Sequence, residues 1–258
     1  MQKEIHFYKY HGAGNDFVMI DNRGGNQSLT REEIFSLCHR RFGIGADGLI
    51  FIEPDEKHDF KMKYYNADGN ESTMCGNGGR CIVAFARDLG MIKKSCTFDA
   101  IDGLHEAQID GEIVNLKMKD VTAIEHLDNG YFIDTGSPHH IEYHENIEKL
   151  NVYELGKKIR HSQCYEPAGT NVNFVQKIKD DELFVRTFER GVEDETLACG
   201  TGATAAAIAL MLEKDISNVK VKVMGGDLEV SAKKEQNNFV DVWLKGPAVQ
   251  VFKGKIRI

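Results

Sequence analysis

The chain repeats itself. Glu71-Ser72-x-x-Cys75-Gly76-x-Gly78 recurs as Glu195-Thr196-x-x-Cys199-Gly200-x-Gly202. Other pairs follow in the same order: Gly14-Asn15 with Gly136-Ser137, Gly45-x-Asp47 with Gly169-x-Asn171, and Asn66 with Glu189. The offset stays between 122 and 124 residues. A solenoid would repeat every ~20–50 residues. An offset of half the chain instead indicates duplication of a whole domain, at an ordinary domain size of about 100–150 residues. Two copies of one unit should pack as a pseudo-two-fold pair, and ligand sites favour such interfaces.

Each copy reads as α+β. In the first, residues 5–10 and 17–21 are strand-like around the turn at His11 to Asp16. Residues 30–41 are helical in pattern, with Thr30 as cap and Glu33 as its capping-box partner. Residues 49–53 and 60–65 are strands, the second ending in the turn signal Asn66-Ala67-Asp68-Gly69. A helix then runs from the cysteine motif to about residue 89, and Gly90 stops it. Three short strands fill 95–119, with turns at Asp102-Gly103 and Asp110-Gly111. The second copy follows the same order. It has strands at 130–135, 172–176 and 183–188, and a helical segment at 148–160. An alanine-rich helix to about 213 and strands at 219–224, 228–232 and 239–244 complete it. The expected domains are 1–120 and 121–248, with a last strand, 249–258, returning to the first.

Composition narrows the partners. The net charge is −8 with both signs intermixed, which is not the basic stripe of a nucleic-acid binder. The near-apolar run at 203–212 is too short to span a bilayer. The N-terminal residues lack the apolar stretch of a signal peptide and read as the start of a strand, so the expected compartment is the cytoplasm. Six cysteines are few for a disulfide scaffold in 258 residues. Their spacing fits no zinc site. Cys38, Cys81, Cys96 and Cys164 read as ordinary thiols. No P-loop or dinucleotide fingerprint occurs.

Cys75 and Cys199 differ from the other four because a glycine turn and an apolar helix follow each. A cysteine at a helix start meets unpaired N–H groups and the positive end of the macrodipole, and it ionises more readily there. Two such thiols facing one carbon can take a proton from one side and return one to the other. The helix ends offer N–H donors to the carboxylate onto which a carbanion pushes its charge. That chemistry inverts an amino-acid α-carbon without metal, nucleotide or pyridoxal phosphate.

Five stretches together resemble the diaminopimelate epimerase family. They are His11-Gly12-Ala13-Gly14-Asn15-Asp16-Phe17, Asn66-Ala67-Asp68-Gly69, Met74-Cys75-Gly76-Asn77-Gly78-Gly79-Arg80-Cys81, Glu189-Arg190-Gly191 and Ala198-Cys199-Gly200-Thr201-Gly202. The resemblance implies cofactor-independent interconversion of LL- and meso-2,6-diaminopimelate, on the route to lysine and peptidoglycan. It implies two similar domains, each a mostly antiparallel sheet wrapped around a central helix, and a homodimer. It assigns Cys75 and Cys199 as the acid–base thiols, supported by His139 and Glu189. Gly76, Asn77, Gly200 and Thr201 would contact the reacting carboxylate. Asn15, Asn66, Asn171, Glu189 and Arg190 would hold the substrate, with Arg190 on the distal carboxylate.

The chain departs from the family pattern at three places. Ser137 replaces an asparagine before Pro-His, and Gly48 replaces a substrate-contacting glutamine. Glu193-Asp194 lengthens the loop before Cys199. The nearest alternative is a proline or hydroxyproline racemase, whose first motif carries histidine where Asn77 stands. A non-racemase relative would lack the paired cysteines. A thiol redox protein would leave the polar turns without a purpose.

Overall fold

The computed structural model describes residues 3–258; Met1 and Gln2, at the head of the expected first strand, lie outside the described residues. Two compact units form, one of Met1–Leu116 with Pro247–Ile258, the other of Lys117–Gly246. Among the described residues no helix is long and apolar enough to cross a membrane.

The first unit contains β1 (Glu4–Gly12), β2 (Asn15–Asp21), α1 (Arg31–Cys38), β3 (Gly48–Glu53), β4 (Phe60–Asn66), β5 (Glu71–Ser72), α2 (Gly76–Asp88), β6 (Ser95–Ala100), β7 (Gly103–Asp110) and β8 (Ile113–Lys117). β1 and β2 form a hairpin, and β2 runs parallel to β3. β4 is antiparallel to β3 and β5 but parallel to β6, and β6, β7 and β8 continue as a meander. In the second unit the elements are β9 (Ile124–Leu127), β10 (Gly130–Asp134), β11 (Pro138–Tyr143), α3 (Val152–Arg160), β12 (Asn171–Lys179), β13 (Glu182–Glu189), β14 (Asp194–Thr196), α4 (Gly200–Lys214), β15 (Asn218–Val223), β16 (Gly226–Glu235) and β17 (Asn238–Pro247). A 3₁₀ turn, Gln163–Tyr165, follows α3.

The pairing repeats strand for strand. β10–β11 is antiparallel and β11–β12 parallel; β13 is antiparallel to β12 and β14 and parallel to β15; β15–β16–β17 is the second meander. Each unit is therefore the same α+β fold, and most of its pairs are antiparallel. One further strand joins each first hairpin: β18 (Val249–Arg257) beside β1, and β9 beside β10.

Helix positions follow from residue type. α2 is buried from Gly76 to Ala86, against β1, β2, β3, β7 and β18. Its Phe85 packs on Tyr10, with ring centroids 5.7 Å apart. α4 is apolar all round, which suits only a helix enclosed on every side. Its run Ala203 to Met211 is buried against β10 to β13, β15 and β16, and the alanines let the sheet approach closely. The outer helices carry one apolar face each. Ile34 and Leu37 of α1 join Ile5, Val18, Leu49 and Phe51. Val152 of α3 joins Val172, Phe174 and Phe188.

Two helix limits differ from the sequence expectation. α1 stops at Cys38 rather than residue 41, because His39 turns extended and the Ile44 and Gly45 N–H groups fold back onto the Leu37 carbonyl. Gly43 permits that turn, since a Cβ there would lie 2.1 Å from the Ser36 carbonyl oxygen. α3 starts at Val152 rather than 148, where Asn151 caps the Glu154 N–H at 3.2 Å.

Candidate active site

In the first unit Cys75 is the N-cap of α2. Its backbone is extended (φ −100°, ψ 148°), and its Sγ accepts the Gly78 N–H at 3.3 Å. An oxygen of Ser, Thr, Asp or Asn usually does this. With sulfur in that place, negative charge on Cys75 meets the positive end of the helix. Space around it is tight: a Cβ on Gly78 would stand 3.1 Å from Cys75 Sγ and 3.2 Å from Ile50 Cδ1.

Asn77, on the same buried turn, donates through Nδ2 to Asn15 Oδ1 at 3.2 Å. Asn15 in turn donates to Asp47 Oδ2 at 2.7 Å. Asp47 is also held by Arg40, which reaches Asp16 as well. Burial opposes ionisation of Asp16, but hydrogen bonds from Arg40 and Lys9, with their charges, outweigh it and hold its pKa at about 2. Asn15, Asn77 and Cys75 are thus drawn to one helix end. Asn66, at the exposed end of β4, accepts from Tyr64 at 2.7 Å and is not part of that hydrogen-bonded group.

Gly48 has a structural reason to be glycine. A Cβ there would fall 2.6 Å from the Tyr65 carbonyl oxygen, so the glutamine expected of the family has no room.

In the second unit Cys199 is the N-cap of α4, also extended (φ −113°, ψ 110°), and buried. Its Sγ lies 3.4 Å from Thr201 Oγ1. Thr201 Oγ1 accepts from Ser137 Oγ at 3.2 Å, and Ser137 Oγ is 3.0 Å from His139 Nε2. The other ring nitrogen, Nδ1, is 3.0 Å from Asn173 Nδ2. His139 is fully buried. Loss of solvation, reinforced by the charge of Arg190, lowers its pKa to about 3, so the ring is neutral at physiological pH.

Asn171 joins this group: Nδ2 donates to the Pro138 carbonyl at 3.0 Å and reaches Ser137 Oγ at 3.4 Å, while Oδ1 accepts the Arg190 N–H at 2.9 Å. The Arg190 guanidinium meets the neutral carbonyls of Ala168 and Gly169 at 3.3 and 3.4 Å. Glu189 precedes it at the end of β13, where its carbonyl accepts the Glu193 N–H at 2.8 Å. The lengthened loop is fixed by Glu193, which is bonded to Arg160, His161 and the Gly191 N–H.

Three residues were not anticipated. Arg80 is fully buried inside α2 and donates to Asn77 Oδ1 at 2.8 Å, the Gly76 carbonyl at 3.2 Å and the Pro247 carbonyl at 3.4 Å. Its only sequence signal is a position inside the cysteine motif. The duplicate position holds Thr204, which bonds the Gly200 carbonyl at 2.9 Å, so both copies secure the same carbonyl. Asn173 and Thr187 support His139 from neighbouring strands and carry no motif at all. Among the described residues no group of three or more His, Cys, Asp or Glu side chains is placed to hold a metal ion.

Comparison with known proteins places this arrangement. The sequence profile of the diaminopimelate epimerase family matches residues 7–123 and 131–251. A diaminopimelate epimerase of Flavobacterium psychrophilum is 52% identical, with 96% of this chain and 99% of that protein covered. One from Chlorobaculum tepidum is 46% identical over 96% and 99%. Among solved structures, a PhzF-family protein of Bacillus anthracis matches with a TM-score of 0.79 at 18% identity, covering 99% and 100% of the two chains. A hydroxyproline epimerase of Agrobacterium vitis matches at 0.72 and 14%, covering 100% and 94%. The two structures share the fold; the relatives share the sequence across both copies of the unit, and the chain belongs to the diaminopimelate epimerase family.

Proposed function

We propose that the protein is an isomerase that interconverts LL- and meso-2,6-diaminopimelate, with Cys75 and Cys199 as its two acid–base groups. One observation carries this reading: the two cysteines are N-caps of equivalent buried helices in two units of matching topology. A thiolate at one takes the α-proton, and the thiol at the other delivers a proton to the opposite face of the same carbon. The reverse reaction exchanges their roles. Both protons are accounted for by the two sulfurs, so the chemistry calls for no cofactor.

The carbanion's charge moves onto the α-carboxylate. The N–H groups at Gly76, Asn77, Gly200 and Thr201 belong to first helical turns and suit that charge. Asn15, Asn66, Asn171 and Glu189 provide polar contacts for the rest of the substrate. Arg190, whose guanidinium meets only neutral oxygens among the described residues, suits the distal carboxylate. His139 and Glu189 support proton transfer beside the thiols. We place the enzyme in the cytoplasm as a homodimer, with neither nucleic acid nor membrane as a partner.

The test is turnover of LL-diaminopimelate, followed by chromatographic separation of the stereoisomers, for the wild type and for Cys75→Ala and Cys199→Ala. The reading expects each substitution to remove epimerisation almost entirely, and addition of a chelator to leave the wild type unchanged. Full activity in either variant would remove that thiol from the mechanism.

A further inference from the structure

The polar groups behind Cys199 form a continuous chain whose hydrogens all point one way. The direction is fixed by two amides. Asn173 Nδ2 donates to the His140 carbonyl at 3.0 Å, which can only accept, and Asn173 Oδ1 accepts from Thr187 Oγ1 at 2.9 Å. That amide cannot be flipped, so its second N–H must donate to His139 Nδ1. The neutral ring then carries its hydrogen on Nε2 and donates to Ser137 Oγ. Asn171 is likewise fixed, because its Oδ1 accepts the Arg190 N–H and its Nδ2 donates to the Pro138 carbonyl; it too donates toward Ser137. With both approaches to its oxygen occupied by donors, Ser137 must send its own hydrogen to Thr201 Oγ1. That leaves the Thr201 hydrogen available to Cys199 Sγ, 3.4 Å away, which as a thiolate can only accept.

We infer that Ser137 is a positioning residue for Cys199: through Thr201 it aims a buried line of donors, running from Thr187 through Asn173 and His139, at the sulfur, and so favours the thiolate. A charged acceptor at the end of such a chain makes a stronger bond than a neutral one, and each link polarises the next. No bond is made or broken along the chain. It carries orientation and charge stabilisation, and the proton that Cys199 accepts comes from the substrate.

In the first unit different groups flank the sulfur. There the sulfur of Cys75 accepts a backbone N–H, and the buried cation Arg80 lies in the next turn. The two cysteines therefore stand among different neighbours. Ser137 stands where the family pattern has asparagine. Arg190 is the charged group that acts on His139.

This inference rests on the proposed role of Cys199, and its test separates the two. The rate of Cys199 alkylation by iodoacetamide is measured across pH in a Cys75→Ala background by peptide mass spectrometry, alongside Ser137→Ala, Ser137→Thr and Thr201→Val. Circular dichroism confirms folding. Loss of the donor line should move the midpoint of the alkylation profile up by about one pH unit in Ser137→Ala and in Thr201→Val, a roughly tenfold slower reaction below both midpoints. Ser137→Thr keeps a hydroxyl and should restore the profile. An unmoved midpoint in folded Ser137→Ala and Thr201→Val overturns the relay, whatever the activity. Full epimerisation by Cys199→Ala would instead overturn the role of the thiol, whatever the profile.

Discussion

Burial of neutral His139 gives the fold an acid sensitivity that can be worked out and measured. The pKa of the group falls from an ordinary 6.5 in the unfolded chain to about 3 in the folded one. Below pH 6.5 the unfolded chain binds a proton that the folded chain refuses. This contribution to stability is complete above 6.5 and is lost as pH falls toward 3. At pH 5 the unfolded group is almost fully protonated and the folded one almost fully neutral, so about 2 kcal/mol is lost relative to pH 7. Asp16, held at about 2, is a lowered carboxylate whose share is lost only further down, chiefly below pH 4. The interval from pH 7 to 5 therefore isolates histidine. The perturbation is His139→Gln, which retains an amide for Asn173 and Ser137 and cannot titrate. Urea unfolding at pH 7 and pH 5 reads the result. The variant starts less stable, but the wild type should lose about 2 kcal/mol more than it does between the two pH values. An equal loss in both proteins would refute the claim that His139 is buried neutral.

Three further outcomes follow from packing and charge. Gly78→Ala puts a Cβ 3.1 Å from Cys75 Sγ and should cut turnover at least tenfold while costing only about 1–2 kcal/mol of stability in urea. Arg80→Leu strips donors from Asn77, Gly76 and Pro247 and should destabilise the fold by about 3 kcal/mol; Arg80→Lys, without the planar fork, should recover little of that on the same assay. Arg190→Lys should raise KM for diaminopimelate more than it lowers kcat, because a point charge replaces a bidentate one, and steady-state kinetics separates the two.

What the sequence made legible was local chemistry and the repeat. Thr30 with Glu33 announced a helix start, and the capping box is formed. Asp102-Gly103 and Asp110-Gly111 announced the turns that separate β6, β7 and β8. Cysteine followed by glycine and an apolar run announced α2 and α4, and both begin one residue after the cysteine. What stayed hidden depends on the approach of distant segments. β11 opens with Pro138-His139-His140, a stretch given no strand from the sequence, yet it runs beside β12 and buries His139. Arg80 stands out in the sequence only as part of the cysteine motif, and only the enclosure of α2 makes it a buried donor. Ser137 reads as a lost contact before a proline. Its link to Thr201 spans 64 residues and exists because the β10–β11 turn meets the first turn of α4. Glu195, part of the repeated motif, reads with the cysteine but is held by both arms of Arg186, at 2.6 and 2.7 Å, as a structural pair.

The central claim, two thiols acting on opposite faces of one carbon, is tested most directly by isotope uptake. LL-Diaminopimelate is incubated with the wild-type protein in deuterated water, and substrate and product are separated at early times and analysed by mass spectrometry. A base and an acid on separate sulfurs predict one deuterium at the inverted α-carbon of the product, with recovered substrate still largely protiated. Deuterium entering substrate and product equally, as a single shared base requires, or inversion with no deuterium at all, would contradict the account.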